Sequence, residues 1–155
     1  MRTIERKNKL GEVFTPLQLV NEMLDKLPQE EITNPDKIIG DISGCGNGNF
    51  LVEILNRRLK AGIKHIDAIK TIFGVDIMED NIQECKERLT QGSKDENIWK
   101  ILNHNIICAD ALDERHPGWT KVGYMWAYHI GWEIDNNGRL IHHEKRPYVE
   151  KFFQI

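Results

Sequence analysis

Asp41-Ile42-Ser43-Gly44-Cys45-Gly46-Asn47-Gly48-Asn49-Phe50-Leu51 decides how this chain is read. The apolar run Lys37-Ile38-Ile39-Gly40-Asp41-Ile42 enters it as a short buried strand. Three glycines follow at alternate positions, Gly44, Gly46 and Gly48. A helical pattern of Phe50, Leu51, Ile54, Leu55 and Leu59 then begins at once and stops near Gly62. Residues without a Cβ let backbone turn sharply and pass close to a ligand. A helix that starts after such a turn points free N–H groups at whatever sits there. The stretch reads as a strand, loop and helix that cradle a nucleotide-like ligand.

Upstream, residues 1–11 are charged and read as a loose arm. Thr15-Pro16 reads as a helix start, with Thr15 as N-cap and Pro16 at the first helical position. Leu17, Val20, Met23, Leu24 and Leu27 keep helical spacing until Pro28 ends it, and residues 29–36 read as a loop. Downstream, residues 64–70 read as a short helical piece and Ile72–Ile77 as a second apolar strand with an acid at its end. Residues 79–91 form an amphipathic helical pattern (Ile82, Cys85, Leu89) closed by Gly92, followed by a polar loop. Asn105–Asp110 is a third strand, again ending on an acid. This alternation implies an α/β chain with a mostly parallel, doubly wound sheet. Right-handed crossovers bring Asp41, Asp76 and Asp110 to one edge, where such sheets bind ligands.

The 155 residues suit one domain: a core over residues 1–112 and an extension of the same domain over 113–155. A net charge of −3 argues against a protein that coats nucleic acid, though it leaves room for a local basic patch. Arg2–Lys9 and Arg57-Arg58-Lys60 are basic clusters that read first as a solvated arm and a solvated helix face. Cys45, Cys85 and Cys108 are few and far apart, as expected for free thiols in a cytoplasmic protein. His142-His143 has no metal-finger spacing, so no metal site is expected. No apolar run is long enough to span a membrane.

The extension carries Trp119, Trp126 and Trp132, and Gly131–Ile141 alternates apolar residues around Asp135-Asn136-Asn137-Gly138. That predicts a Trp-rich C-terminal hairpin. Trp126, Tyr124 and Tyr128 read as core aromatics before they read as a base-stacking surface.

The glycines alone are a weak signal, since Gly44-x-Gly46-x-Gly48 lacks the third glycine of a dinucleotide fingerprint and no P-loop is present. The acids add to it. Asp76 suits the two hydroxyls of a ribose, and Asp110 an exocyclic amine on adenine. Both also suit helix caps, but their register with the glycine loop favours ligand binding. Cys45 has no nearby histidine and reads as a small packing residue. Phe50 and Leu51 read as anchors of helix to sheet.

With these parts in this order, the chain resembles S-adenosylmethionine-dependent DNA methyltransferases that modify the exocyclic amine of adenine. The similarity spans roughly residues 10–112. Gly11-Glu12-Val13-Phe14-Thr15-Pro16 resembles the family's N-terminal element beside the methionine part of the cofactor. Cys45–Leu51 resembles its first motif, with Asp41 as the opening acid. Gly74-Val75-Asp76-Ile77 is similar to the second, where the acid binds ribose, and Asn105–Leu112 to the third, where the acid faces adenine. The resemblance implies a Rossmann-like class I methyltransferase fold, S-adenosylmethionine as cofactor and DNA as partner. It places at the cofactor Phe14, Thr15, Pro16, Asp41, Ser43, Gly44, Cys45, Gly46, Asn47, Gly48, Phe50, Asp76, Ile77, Asp110 and Ala111.

Two departures stand out. Three residues, Ile42-Ser43-Gly44, separate Asp41 from Cys45 where the family has two. The family's catalytic signature, an Asn or Asp with two prolines and an aromatic, does not occur in residues 113–155. The nearest string is Lys145-Arg146-Pro147-Tyr148, whose Lys and Arg side chains cannot accept a hydrogen bond from an amine. No catalytic residue is assigned. Besides a methyltransferase, the sequence allows a non-catalytic companion or regulatory subunit. Such a chain would meet a catalytic or target-recognition partner, or a second copy, through its aromatic tail. A third reading is an enzyme that degrades S-adenosylmethionine.

Overall fold

Short apolar runs that cannot bury themselves as isolated strands assemble side by side into a parallel sheet covered by helices. The computed structural model describes residues 14–41 and 44–109, together with the backbone of strands 133–134, 140–141 and 153–154. In chain order the elements are α1 (Leu17–Asp25), α2 (Gln29–Ile32), β1 (Ile39–Asp41), α3 (Asn49–Lys60), α4 (His65–Ile69), β2 (Ile72–Asp76), α5 (Glu79–Leu89), α6 (Glu96–Asn105) and β3 (Ile106–Cys108). The two-residue strands β4 (Glu133–Ile134), β5 (Leu140–Ile141) and β6 (Phe153–Gln154) follow.

The sheet order is β3-β2-β1-β6, with every pairing parallel. Asp41 lies opposite Gly74 and Asp76 opposite Cys108, so the C-terminal ends of the three main strands share one edge. This α/β arrangement is compatible with a Rossmann-like fold. β4 and β5 pair antiparallel, Glu133 with Ile141 and Ile134 with Leu140. The turn between them and the three tail tryptophans lie outside the described residues. Among the described residues, no helix is long and apolar enough to cross a membrane.

β2 is the middle of the three main strands, and Ile72, Phe73 and Val75 are all buried. Leu51, Ile54 and Leu55 of α3, Ile82 and Leu89 of α5 and Leu102 of α6 close over the sheet. Each such side chain, fully buried, contributes about 1.5–3 kcal/mol. Gly74 is small for a packing reason: a Cβ there would sit 2.8 Å from Leu51 Cδ1 and 3.1 Å from Cys45 Sγ.

The structure corrects four expectations. Helix α1 begins at Leu17, with Pro16 in the capping position and no side-chain cap, so Thr15 is not the N-cap. The Pro16 carbonyl still accepts from Val20 N at 3.0 Å. The segment 29–36 contains the single-turn α2 and is not wholly a loop. The polar stretch after Gly92 contains α6, whose true cap is Asp95, accepting from Asn97 N. Ile98 and Leu102 supply its buried stripe.

The fourth correction is the Arg57-Arg58-Lys60 cluster, which is not one solvated face. Arg58 is fully buried. Its guanidinium donates to the carbonyls of Ile32, Lys37 and Ala68 and to Thr71 Oγ1, at 2.7–2.9 Å. Burial lowers its pKa to about 10. Arg57 points elsewhere, tying α3 to α1 through Asp25 and Asn21 and reaching Gln29 of α2. Adjacent helical residues diverge by roughly 100°, which separates the two.

Candidate functional site: a glycine-loop cradle at the strand ends

The loop leaves β1 irregularly. Ile39 N donates to Thr71 O at 2.8 Å. An uninterrupted parallel ladder would give the bond to Val75 O to position 43. Cys45 N makes that bond instead, at 2.8 Å. Ser43, with Ile42, lies outside the described residues.

Beyond Cys45, glycine is required by both conformation and space. Gly46 and Gly48 have φ of +56° and +90°. A Cβ on Gly48 would lie 2.7 Å from Cys85 Sγ of α5, and one on Gly46 would lie 3.0 Å from Phe14 Cε1. The loop is therefore closed on one side by α5 and on the other by the Phe14-Thr15-Pro16 element. Phe14, which the resemblance put beside the cofactor, packs against Gly46, and Thr15 O accepts from Asn49 at the start of α3.

Asp76, at the end of β2, faces the loop. Its Oδ2 accepts from Gly46 N at 2.9 Å, and its Oδ1 from Met78 N at 2.8 Å and Asn81 Nδ2 at 3.3 Å. A carboxylate offers about four lone-pair sites, so roughly one acceptor position remains. A Cβ on the exposed Gly44 would lie 3.9 Å from Asp76 Oδ2. Ile77, next in sequence, is 53% exposed, a large apolar side chain open beside the carboxylate.

Asp41 is buried at the end of β1, and its carboxyl pKa is raised from 3.8 to about 7. Loss of hydration is the larger cause and the neighbouring Asp76 carboxylate the second. Cys45 is buried, and its thiol is pushed up by a hydrogen bond with Cys85, by burial and by nearby negative charge. That environment suits packing, not nucleophilic attack. Phe50 is half-buried against the core, as its anchoring pattern implied.

Helix α5 contributes residues that sequence reasoning missed. Asn81 reaches Asp76, Glu84 accepts from Asn47 Nδ2 at 3.3 Å, and Arg88 Nη1 donates to Asn47 O at 3.0 Å and Asn49 Oδ1 at 2.7 Å. Asn49 Nδ2 in turn donates to Thr15 O at 2.9 Å. Asn81, Glu84 and Arg88 recur at helical spacing with Cys85, which is the signal that could have found them. The Asn47 Oδ1 is buried with no partner among the described residues.

Over 98 residues, 61% of this chain, the sequence is 33% identical to the type II methyltransferase M.VspI of Vibrio sp. (strain 343). It is similar to a methyltransferase. The match covers 21% of that protein, so the chain spans about a fifth of the relative's length. No family model matches the chain, and no solved structure matches it.

The sequence-selected residues that the structure brings together are Phe14, Thr15 and Pro16, the loop Gly44–Gly48, and Asp41, Asp76 and Ile77. Asp110 and Ala111 lie outside the described residues. Ala109, the residue before Asp110, donates its N–H to Asp76 O at 3.0 Å. No group of three or more metal-ligating side chains occurs among the described residues.

Proposed function

We propose that this chain is an S-adenosylmethionine-binding, methyltransferase-like protein of the adenine-specific DNA methyltransferase kind, with a doubly wound core. The observation that carries the reading is the Asp76–Gly46 bond, with Phe14 packed on the same glycine. Three sequence-distant parts meet there, which supports the reading. Strand order 3-2-1 with a further parallel strand beyond β1 supports the doubly wound core.

The residues present fit this cofactor. Asp76 retains an acceptor position for a ribose hydroxyl. A cis-diol donating twice would displace one of its present donors. Ile77 offers apolar surface for a purine, and the orphaned Asn47 Oδ1 suits a donor such as an ammonium. Asp110 and Ala111 would complete the adenine side, and Phe14, Thr15 and Pro16 the methionine side. When bound, the cofactor supplies an electrophilic methyl group on a sulfonium. The chain's own part is to bind, orient and exclude water, which is the share of catalysis that comes from positioning.

Equilibrium dialysis with labelled S-adenosylmethionine tests the reading, with S-adenosylhomocysteine, ATP and NAD as competitors. Displacement by S-adenosylhomocysteine alone is expected; displacement by NAD or ATP would assign the cradle to another ligand class.

A second reading is a non-catalytic companion of a methyltransferase, partnered with DNA or with a catalytic or target-recognition chain. Lys145-Arg146-Pro147-Tyr148, the nearest string to an amine-positioning motif in residues 113–155, favours it, because Lys and Arg side chains cannot accept a hydrogen bond from an amine. Labelled methyl transfer to unmodified DNA by the purified chain separates the two: incorporation supports the enzyme, and cofactor binding without incorporation supports the companion.

A further inference from the structure

We propose that Arg88 is a positioning residue of the cradle, acting through Asn49 to hold the Phe14-Thr15-Pro16 element against the glycine loop. The proposal rests on the cofactor-binding reading above. Asn49 is the first residue of α3, directly after the left-handed Gly48. Its side-chain amide is used at both ends: Oδ1 accepts from Arg88 Nη1 at 2.7 Å, and Nδ2 donates to Thr15 O at 2.9 Å. An amide can turn over and exchange these ends. A guanidinium can only donate, so Arg88 decides which way Asn49 faces, and only that facing presents a donor to Thr15 O.

The same Arg88 nitrogen also donates to Asn47 O, fixing the loop between Gly46 and Gly48, both at positive φ. One side chain of α5 thus sets the loop backbone, the start of α3 and, at one remove, the element that packs Phe14 on Gly46. Cofactor affinity then depends on Arg88 although nothing requires it to touch the cofactor. Without it the element samples untied positions, and apparent affinity falls with the tied fraction.

Asn49→Asp isolates the relay, because a carboxylate still accepts from Arg88 but cannot donate to Thr15 O. Arg88→Met removes the fixing group, and Arg88→Lys keeps the charge without the rigid fork. Two readouts apply to each full-length variant: hydrogen exchange of the unliganded protein over residues 15–20, and S-adenosylmethionine affinity by calorimetry. Asn49→Asp and Arg88→Met should each speed exchange in that segment and weaken binding by about tenfold, with Arg88→Lys between. The double variant should be no worse than the poorer single, as expected for one pathway.

Wild-type exchange and affinity in folded Asn49→Asp and Arg88→Lys, whatever their melting temperatures, would overturn the proposal and leave Arg88 a packing residue. Asp76→Ala separates the two levels. If the wild type binds, Asp76→Ala does not, and the relay variants bind normally, only the Arg88 role falls. If the wild type takes up no cofactor, the cofactor reading falls and this role with it.

Discussion

Asp41→Asn tests whether a buried acid at the end of β1 carries the electrostatic strain the structure assigns to it. The carboxyl has a pKa of about 7 in the fold against 3.8 ordinarily. Between those values the folded state holds a proton that the unfolded chain has released. The slope of unfolding free energy with pH follows protons bound unfolded minus protons bound folded, so it is negative in this window. Stability from this group is fully present below pH 4 and is lost as pH rises to 7. Just over three pH units at about 1.36 kcal/mol each gives a loss of about 4 kcal/mol by pH 8. Asparagine keeps the shape and cannot ionise. Urea unfolding of both proteins at pH 4, 5, 6, 7 and 8 reads the difference. The variant should match the wild type near pH 4 and exceed it by a few kcal/mol at pH 8, with a flatter profile between (about 4 at most). Equal stability of the two proteins at every pH, or a variant weaker at pH 8, would refute the reasoning.

Arg58→Met should cost about 3–5 kcal/mol in urea unfolding, because three carbonyls and Thr71 Oγ1 lose their buried donor. A cost under about 1 kcal/mol would mean Arg58 is solvated in solution. Gly48→Ala should lower stability by about 1–3 kcal/mol from its φ alone, with the contact to Cys85 Sγ added. In a Cys85→Ala background the contact is relieved and the backbone cost stays, so thermal unfolding should show partial recovery; full recovery would show the φ to be unimportant.

Much of the fold was legible because its signals are local. Three apolar runs, glycines at fixed spacing and helical stripes at Leu51–Leu59 and Ile82–Leu89 need only chain neighbours to be recognised. Helix α6 was obscured by the polar residues around Ile98 and Leu102, although Asp95 is an ordinary cap. Arg58 was misread because charge suggests solvent, and only the fold shows carbonyls converging on it from three other segments. The same limit hid Arg88 and Asn81. Their partners Asn47, Asn49 and Asp76 lie 41, 39 and 5 residues away, and only one of these separations is local. Phe14 and Asp76 were expected beside the glycine loop because the resemblance in motif order already joined them to it.

The central claim, that the strand-end cradle holds S-adenosylmethionine, is tested most directly by titrating the cofactor into the wild-type chain and into Asp76→Ala, with a melting curve to show that the variant is folded. Saturable one-site binding by the wild type and a loss of at least about a hundredfold in the variant, roughly the two to three kcal/mol of a charge-assisted contact, is the expected result. No binding by the wild type, or equal binding by a folded Asp76→Ala, would contradict it.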